Sequence, residues 1–196
     1  MANYSIISDL GNEIVKLLRK NLCPEPITNP ENILLCPPFE KGDFTLGIHL
    51  YDIQEDADFQ QLNMINISET KRRYPPLPLT LYYMITVNSQ SHISSKSIDE
   101  QRILGRVLQV LYDNPVFSIT NIQPNAESTD TEIYLTPNTL QLEEKSRLWS
   151  NSGSGNSSKL ALYYKAAPIL IDSERTTESR RVVSVDVNLF DKEGKR

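Results

Sequence analysis

The stretch LTLYYMITV at residues 79–87 decides the fold class of this chain. It is rich in β-branched and aromatic side chains, which pack well on the pleated surface of a sheet. It is also long enough to run through the middle of a sheet. We therefore predict a central strand at residues 79–87, and the rest of the chain is best understood from its position beside this strand.

The residues before this strand predict further strands. In residues 44–53, Phe44, Leu46, Ile48 and Leu50 alternate with other side chains, which is typical of a strand with one buried face. Residues 64–67 are also a strand candidate, and residues 33–35 are a short apolar run closed by Pro37 and Pro38. Residues 71–78 are basic and then proline-rich, which predicts a bend whose prolines stand at the entrance of the central strand.

Three segments have the spacing of amphipathic helices. The first has apolar residues three and four positions apart and ends near Leu22, before Cys23 and Pro24. The second begins with Ser97 and Glu100 in the pattern of a capping box. The third begins with Thr136 as N-cap and proline at its first helical position, and extends to Trp149. The apolar positions of the first two helices are Ile6, Leu10, Ile14, Leu17 and Leu18, and Ile103, Leu104, Val107, Leu108 and Leu111.

The remaining apolar segments are short strands separated by polar loops. They are residues 116–120, 132–135, 160–171 with a break at Pro168, and 182–190, and residues 150–158 predict a mobile loop. Strands and helices do not alternate regularly, so the expected class is α+β, with a mixed or antiparallel sheet flanked by two or three helices. We expect one domain at residues 1–172, followed by a polar linker and a C-terminal strand or arm at residues 173–196.

Length and charge exclude several classes of protein. With 196 residues, the chain is long enough for one domain with a core that needs no disulfides. A formal net charge of −5 argues against general binding to nucleic acid, which depends on basic patches. The N-terminus has no basic leader and no apolar run is long enough to cross a membrane, so we expect a cytosolic protein with no membrane insertion.

The candidate catalytic and metal-binding residues are few. Cys23, Cys36, His49 and His92 are the four residues of the zinc-binding types, and they are widely separated in the sequence. The histidines lack a neighbouring nucleophile motif, and the seven glycines show no phosphate-loop spacing. We therefore predict no enzyme activity, metal or cofactor; a histidine-dependent hydrolase remains an alternative.

Other polar clusters have plain structural explanations. Glu143 and Glu144 are consecutive on a predicted helix, so they point in different directions and are expected to be solvated. Trp149 is expected in the core rather than at an interface. The basic cluster KRRY at residues 71–74 is expected in a solvent-facing turn, or facing an acidic patch on a protein partner through Arg72 and Arg73.

The last predicted strand has two possible partners. Val183, Val185, Val187 and Leu189 alternate with polar residues. This strand either folds back onto its own sheet or pairs with the open edge of a neighbouring chain.

Several stretches, taken together, resemble a known family. They are ISDLGNEIVKLLRK (7–20), YPPLPLTLYYMITV (74–87), ILGRVLQVLYDNPVF (103–117), LQLEEKSRLWS (140–150) and LYYKAAPILID (162–172). In this order they are similar to the cap or tail-terminator proteins of bacterial extracellular contractile injection systems. The resemblance covers about residues 5–172, and its most specific parts are PPLPL and LGR followed by LYDNPV.

The resemblance implies a fold like that of phage tail terminators and a structural role. A member would form a homo-oligomeric ring, expected to be a hexamer, on the last layer of the inner tube, in contact with the sheath, and would end polymerisation and fix particle length. It would assemble in the bacterial cytoplasm and then remain in the particle, whether released or membrane-anchored. Our own hypothesis adds Val183, Val185, Val187 and Leu189 as anchors of the contact. The alternative is a soluble adaptor or chaperone for tube or sheath subunits.

Overall fold

A computed structural model describes residues 2–38, 44–89, 92–124, 132–151 and 159–178 of the chain. The helices in these ranges are α1 (Ile6–Leu22), α2 (Ile93–Asp113), α3 (Ile119–Ile122) and α4 (Leu142–Asn151). The strands are β1 (Ile33–Leu35), β2 (Leu46–Glu55), β3 (Ile65–Asn66), β4 (Lys71–Arg73), β5 (Leu77–Val87), β6 (Val116–Ser118), β7 (Glu132–Pro137), β8 (Ala161–Ile171) and β9 (Thr176–Glu178). The described residues form two compact units, one from residues up to 60 together with 76–172, and one from residues 61–75 together with those after 172.

The first unit is built on a six-stranded mixed sheet with the order β1-β2-β5-β8-β7-β6. Only β1 and β2 run parallel; the other neighbours are antiparallel. The predicted central strand is confirmed, because β5 pairs along its length with β2 on one side and β8 on the other. The predicted α+β class is also confirmed, because a mixed sheet and helices occur without regular alternation along the chain.

Helix α1 lies between the two edges of this sheet. Its residues Ile6, Leu10, Ile14 and Leu18 are buried in the main core, as the spacing predicts. The helix contacts β1 at one edge of the strand order and α3, which directly follows β6, at the other edge. Because one helix reaches both edges, the sheet curls around α1.

Helix α2 begins five residues earlier than the capping box predicts. It starts at Ile93, and the carbonyl of His92 accepts hydrogen bonds from the backbone N–H groups of Ser95 and Lys96. The predicted Ser97 cap is wrong, because Ser97 lies inside the helix. The carboxylate of Glu100 accepts a bond from the backbone N–H of Ser89, at 3.4 Å. The predicted apolar stripe is confirmed at Ile103, Leu104, Val107 and Leu111, which are buried, but Leu108 is exposed.

The start of α4 was also predicted wrongly. Thr136 and Pro137 are the last two residues of β7, paired with β8, and the helix begins at Leu142. A proline is tolerated at the end of a strand as well as at the first turn of a helix, so the sequence pattern was ambiguous. The carboxylate of Glu144 accepts a bond from the backbone N–H of Gln141 at 2.8 Å, which is half of a capping box at the true helix start.

Strand β8 is continuous through Pro168, where the sequence predicted a break. Leu79 pairs with Ile169 and Leu81 pairs with Ala166, so two residues of β8 lie opposite Thr80 alone. This bulge accommodates a proline, which has no N–H to donate to the ladder.

Smaller differences affect three other predicted elements. Strand β2 begins and ends two residues later in the sequence than predicted. Strand β6 ends at Ser118, and the last two residues of the predicted strand, 119 and 120, belong to α3. Residues 71–73 of the predicted bend form strand β4.

The second face of the sheet carries its own apolar cluster under α4. Trp149, Met84 and Tyr163 are buried there, with Leu148 and Tyr51 packed against them. The predicted placement of Trp149 in the core is confirmed. Both faces of the central strands are therefore covered, α1 and α2 packing into the main core and α4 into this second cluster.

The second unit contains a three-stranded antiparallel sheet with the order β3-β4-β9. The guanidinium of Arg175 lies over the ring of Tyr74, 4.1 Å from its centroid, and the Arg175 carbonyl accepts a bond from the Tyr74 N–H. The predicted terminal strand at residues 182–190 and most of the predicted loop at 150–158 lie outside the described residues. The division into a 1–172 domain and a 173–196 arm stays a prediction.

Candidate interaction surfaces

The two histidines have no partners suited to catalysis in the described part of the chain. His49 is half-buried on β2, opposite Met84 of β5, and burial lowers the pKa of its imidazole. His92 is exposed at the N-cap of α2. Neither imidazole forms a hydrogen bond with a described residue. The described residues therefore do not form the arrangement of base, orienting group and nucleophile that a catalytic triad uses.

The cysteines likewise show no site chemistry. Cys36 is buried and Cys23 is partly buried, and neither is in a disulfide. Burial raises the pKa of the Cys23 thiol, so it is held in its less reactive protonated form. Within the described ranges no three residues of the metal-binding types lie close enough together to hold an ion.

The charged clusters singled out in the sequence are dispersed. Glu143 and Glu144 are exposed on α4, as predicted, and Glu144 serves as part of the helix cap. Arg72 and Arg73 lie on β4 in the second unit, where they pair with Thr177 and Thr176 of β9. Their predicted role in an interface stays a prediction, as does that of Val183, Val185, Val187 and Leu189, which lie outside the described residues.

The exposed side of α2 carries an apolar stripe that the core does not use. Ile98, Leu108 and Tyr112 are exposed, Tyr112 to 85%, with Gly105 between them. At about 100° per residue, these four positions fall within about 80° of one helix face. A Cβ atom added at Gly105 would meet nothing within 4 Å, so no packing inside the described chain requires this glycine.

An apolar groove of about 390 Å³ lies between α1 and the β1 edge of the sheet. Its lining includes Ile7, Leu35, Ile48, Leu50 and Tyr83. The hydroxyl of Tyr83 is buried without a hydrogen-bond partner in the described part of the chain, and burial raises its pKa far above the ordinary value.

A second cleft, of about 510 Å³, lies between α4 and the start of β8. We call it the lysine cleft and define it by Leu142, Lys145 and Trp149 from α4, by Lys159 and Leu160 just before β8, and by Ala161 and Tyr163 of β8. Leu142 is 82% exposed and Leu160 is 60% exposed, while Trp149 is buried at its base. The ammonium group of Lys145 lies 5.7 Å from the centroid of the Tyr163 ring, in the range of a cation–π contact.

Sequence reasoning did not find the groove, because residues from distant parts of the chain form it, or the lysine cleft, which depends on how α4 packs against β8. Trp149 is the one member of the lysine cleft singled out in advance, and it was assigned to the core. Within the described ranges, no helix is long and apolar enough to cross a membrane.

The fold is similar to those of two solved proteins, a terminator and a cap. It is similar to the sheath/tube terminator of PVC, an extracellular contractile injection system, in the extended state; the TM-score is 0.62, the identity 17%, and the match covers 99% of this chain and 67% of that chain. It is also similar to the tube-terminating cap of the anti-feeding prophage, AFP, with a TM-score of 0.62 and 19% identity. This match covers 93% of this chain and 61% of that chain. No curated protein matches the chain in sequence.

A family model gives the classification. The model of the Pvc16 N-terminal domain matches residues 11–184, which is most of the chain and includes Val183 but not Val185, Val187 or Leu189. The predicted relationship to terminator proteins is thereby confirmed at the level of the family, and this chain belongs to the Pvc16 N-terminal domain family.

Proposed function

We propose that this chain is a structural cap that terminates the inner tube and sheath of a contractile injection system. The observation that carries the proposal is the match of 99% of the chain to the fold of a sheath/tube terminator, together with its family membership. The chain spans about two thirds of the solved relatives' length, so the functions of those whole proteins are extended to it as part of the proposal.

The proposed cap is a ring, with six copies as the expected number, seated on the last layer of tube subunits and in contact with the last layer of sheath. A cyclic ring uses a heterologous contact that closes on itself. Its partners are further copies of this chain, the tube protein and the sheath protein. It has no enzymatic role, binds no cofactor or nucleic acid, and enters the particle from the bacterial cytoplasm without inserting into a membrane.

The sheet geometry supports a terminating role. A terminator must avoid offering a new template for strand addition once it is in place. Among the described residues, β1 and β6 are the edge strands of the main sheet, and each has three residues. Helix α1 contacts β1, and it also contacts α3, which directly follows β6. Short edges that are flanked by helices limit edge-to-edge pairing.

The terminal segment is proposed as an attachment element. Val183, Val185, Val187 and Leu189 would anchor a strand that pairs with a neighbouring subunit, and Arg72 and Arg73 would face an acidic patch on a partner. Deletion of residues 180–196 tests the strand: we expect loss of ring formation or of sheath attachment. Normal rings with attached sheath would contradict this part of the proposal.

Electron microscopy of particles tests the cap function itself. Particles assembled without the protein should show tubes and sheaths of uncontrolled length, and adding the protein back should restore a uniform length with a closed ring at the end away from the baseplate. Uniform, complete particles in its absence would overturn the proposal. Restored assembly without a ring at the tip would instead favour the adaptor or chaperone.

A further inference from the structure

A rigid acidic turn follows β2 in the first unit. We define the acidic turn as residues 55–59, with the sequence EDADF. The Asp56 carboxylate accepts hydrogen bonds from the Thr80 hydroxyl at 2.7 Å and from the Asp58 backbone N–H at 3.1 Å. The Asp56 N–H donates to the Pro78 carbonyl at 3.0 Å. The turn is therefore held in one conformation against the start of β5.

The outward side chains of this turn are exposed. Glu55 and Asp58 are exposed, and within the described ranges their carboxylates form no ion pair or hydrogen bond. Phe59 stands beside them and is 45% exposed. The turn thus presents an apolar ring beside two carboxylates. Because the turn is already ordered, it would lose little conformational entropy on binding a partner.

The lysine cleft has the complementary chemistry. Its two exposed leucines and the aromatic base offer an apolar surface for a ring, and its lining also includes the half-buried Lys145 and the exposed Lys159. In the described part of the chain neither lysine forms an ion pair. Apolar contact at the centre with opposite charges at the rim is the usual arrangement of a specific protein interface.

The turn and the cleft lie at opposite ends of the same sheet and cannot meet within one chain. Glu55 pairs with Leu79 near the start of β5, whereas Ala161 of the cleft pairs with Thr86 near its end. At about 3.3 Å per residue, positions 79 and 86 of the strand are about 23 Å apart. Both features belong to the first unit, so their relative placement is set by the sheet.

We propose that the acidic turn of one copy docks into the lysine cleft of the next copy, with Phe59 against Trp149 and the two leucines. The occupant of the cleft is thus a second copy of this chain. Such a contact is head-to-tail, and repeating it generates a ring when the rotation closes. The closure of these contacts into a ring rests on the proposed function. The contact between two copies can be measured with the purified protein alone.

Charge reversal in solution tests the contact. The full chain is measured by sedimentation velocity and light scattering over a range of concentration and salt. The wild type should self-associate, and association should weaken as salt rises, because rim charges are screened. Lys145→Glu with Lys159→Glu, and separately Glu55→Lys with Asp58→Lys, should each raise the dissociation constant at least about tenfold. Phe59→Ala should also weaken association without changing the charge.

Mixing the two reversed variants is the decisive step. The basic turn of one variant then faces the acidic cleft of the other, while the remaining turn and cleft keep their wild-type charges. An equimolar mixture should regain the wild-type mass. Reversal of Glu143 to Lys with Arg147 to Glu is the matched control, since both positions lie on α4 outside the cleft lining, and it should leave association unchanged.

The outcomes separate this contact from the cap function. A monomeric wild type, unchanged association in both reversed variants, or a mixture that stays dissociated would each overturn the contact. Circular dichroism and thermal unfolding confirm that the variants are folded. Length control in particles is measured separately. If the ring uses a different contact, the charge-reversed variants should associate normally and the protein should still control particle length.

Discussion

The indole N–H of Trp149 donates a hydrogen bond to the hydroxyl of Tyr163 at 3.1 Å, and both side chains are buried beneath α4. This bond joins a helix to the central part of the sheet at the base of the lysine cleft. Removing the Tyr163 hydroxyl would take away this acceptor of the buried indole N–H. A buried polar group that loses its partner retains the full cost of its desolvation.

Two tyrosine-to-phenylalanine substitutions should therefore change stability in opposite directions. Tyr163→Phe removes the acceptor of Trp149 and is expected to lower the free energy of unfolding by about 1–2 kcal/mol. Tyr83→Phe removes a buried hydroxyl that has no partner among the described residues, and is expected to raise it by up to about 1 kcal/mol. Urea unfolding measures both. A loss of stability in Tyr83→Phe equal to that in Tyr163→Phe would show that the two hydroxyls are equally well bonded.

Truncation of Trp149 tests the second apolar cluster as a source of stability. Trp149→Ala removes the largest side chain between α4 and the sheet, and is expected to lower the free energy of unfolding by about 3–5 kcal/mol. Trp149→Phe keeps most of the apolar volume and should cost clearly less. Equal effects of the two variants would mean that the indole volume contributes little to packing. Denaturant midpoints with an unchanged slope confirm that stability alone has changed.

Two glycines should respond to alanine with opposite signs. Gly105 lies on the exposed face of α2 with open space around it, so Gly105→Ala is expected to raise the free energy of unfolding by about 0.5–1 kcal/mol. Gly47 is buried in β2, and a Cβ there would lie 2.8 Å from the sulfur of Cys36 and 3.1 Å from the Phe44 ring. Gly47→Ala is therefore expected to be destabilising, by about 1–3 kcal/mol.

Thermal unfolding of these two glycine variants provides the comparison. A stabilised Gly47→Ala variant would contradict the close packing of β2 against Cys36. If Gly105→Ala raises stability but also weakens self-association or capping, the exposed stripe of α2 is part of a contact surface.

Local patterns predicted the fold best where a single periodicity dominates. The stripes of α1 and α2 and the apolar content of β5 determined those elements, because burial of one face overrides all other preferences. The proline positions were ambiguous. Pro137 fits a helix start and a strand end equally well. Pro168 lies in a bulge of β8 that arises from the pairing of β8 with Leu79 and Leu81 of β5. Register of this kind is a long-range property.

The interaction surfaces were less accessible to sequence reasoning than the fold. The lysine cleft joins residues 142–149 to residues 159–163 across α4 and β8. These segments overlap stretches that resemble the family, but neither contains a binding motif. The acidic turn is only a polar stretch in the sequence. Its significance depends on the bonds of Asp56, which fix Phe59 at the surface, and on its position at the opposite end of β5 from the cleft.

The last prediction concerns the pH dependence of the contact between α1 and the end of α3. The Asp9 carboxylate accepts hydrogen bonds from the Gln123 amide at 2.8 Å and from the Ser5 hydroxyl at 2.6 Å, and these bonds lower the pKa of Asp9. A carboxyl whose pKa is depressed by folding stabilises the protein above its unfolded pKa, and this stabilisation disappears as the pH falls through the folded pKa.

Gln123→Ala should therefore raise the pKa of Asp9 toward its ordinary value and lower stability at neutral pH. Because the bond to Asp9 matters most while the carboxyl is ionised, the difference in free energy of unfolding between wild type and variant should shrink as the pH falls through the folded pKa of Asp9. NMR titration of Asp9 and urea unfolding across the acidic range measure the two effects. Gln123→Glu is the matched control of similar size: its added negative charge should raise the Asp9 pKa further and destabilise the protein more at neutral pH. A stability difference that stays constant across this pH range would show that Gln123 acts through packing or its bonds to Asn3 and Ser5, and not through the Asp9 carboxylate.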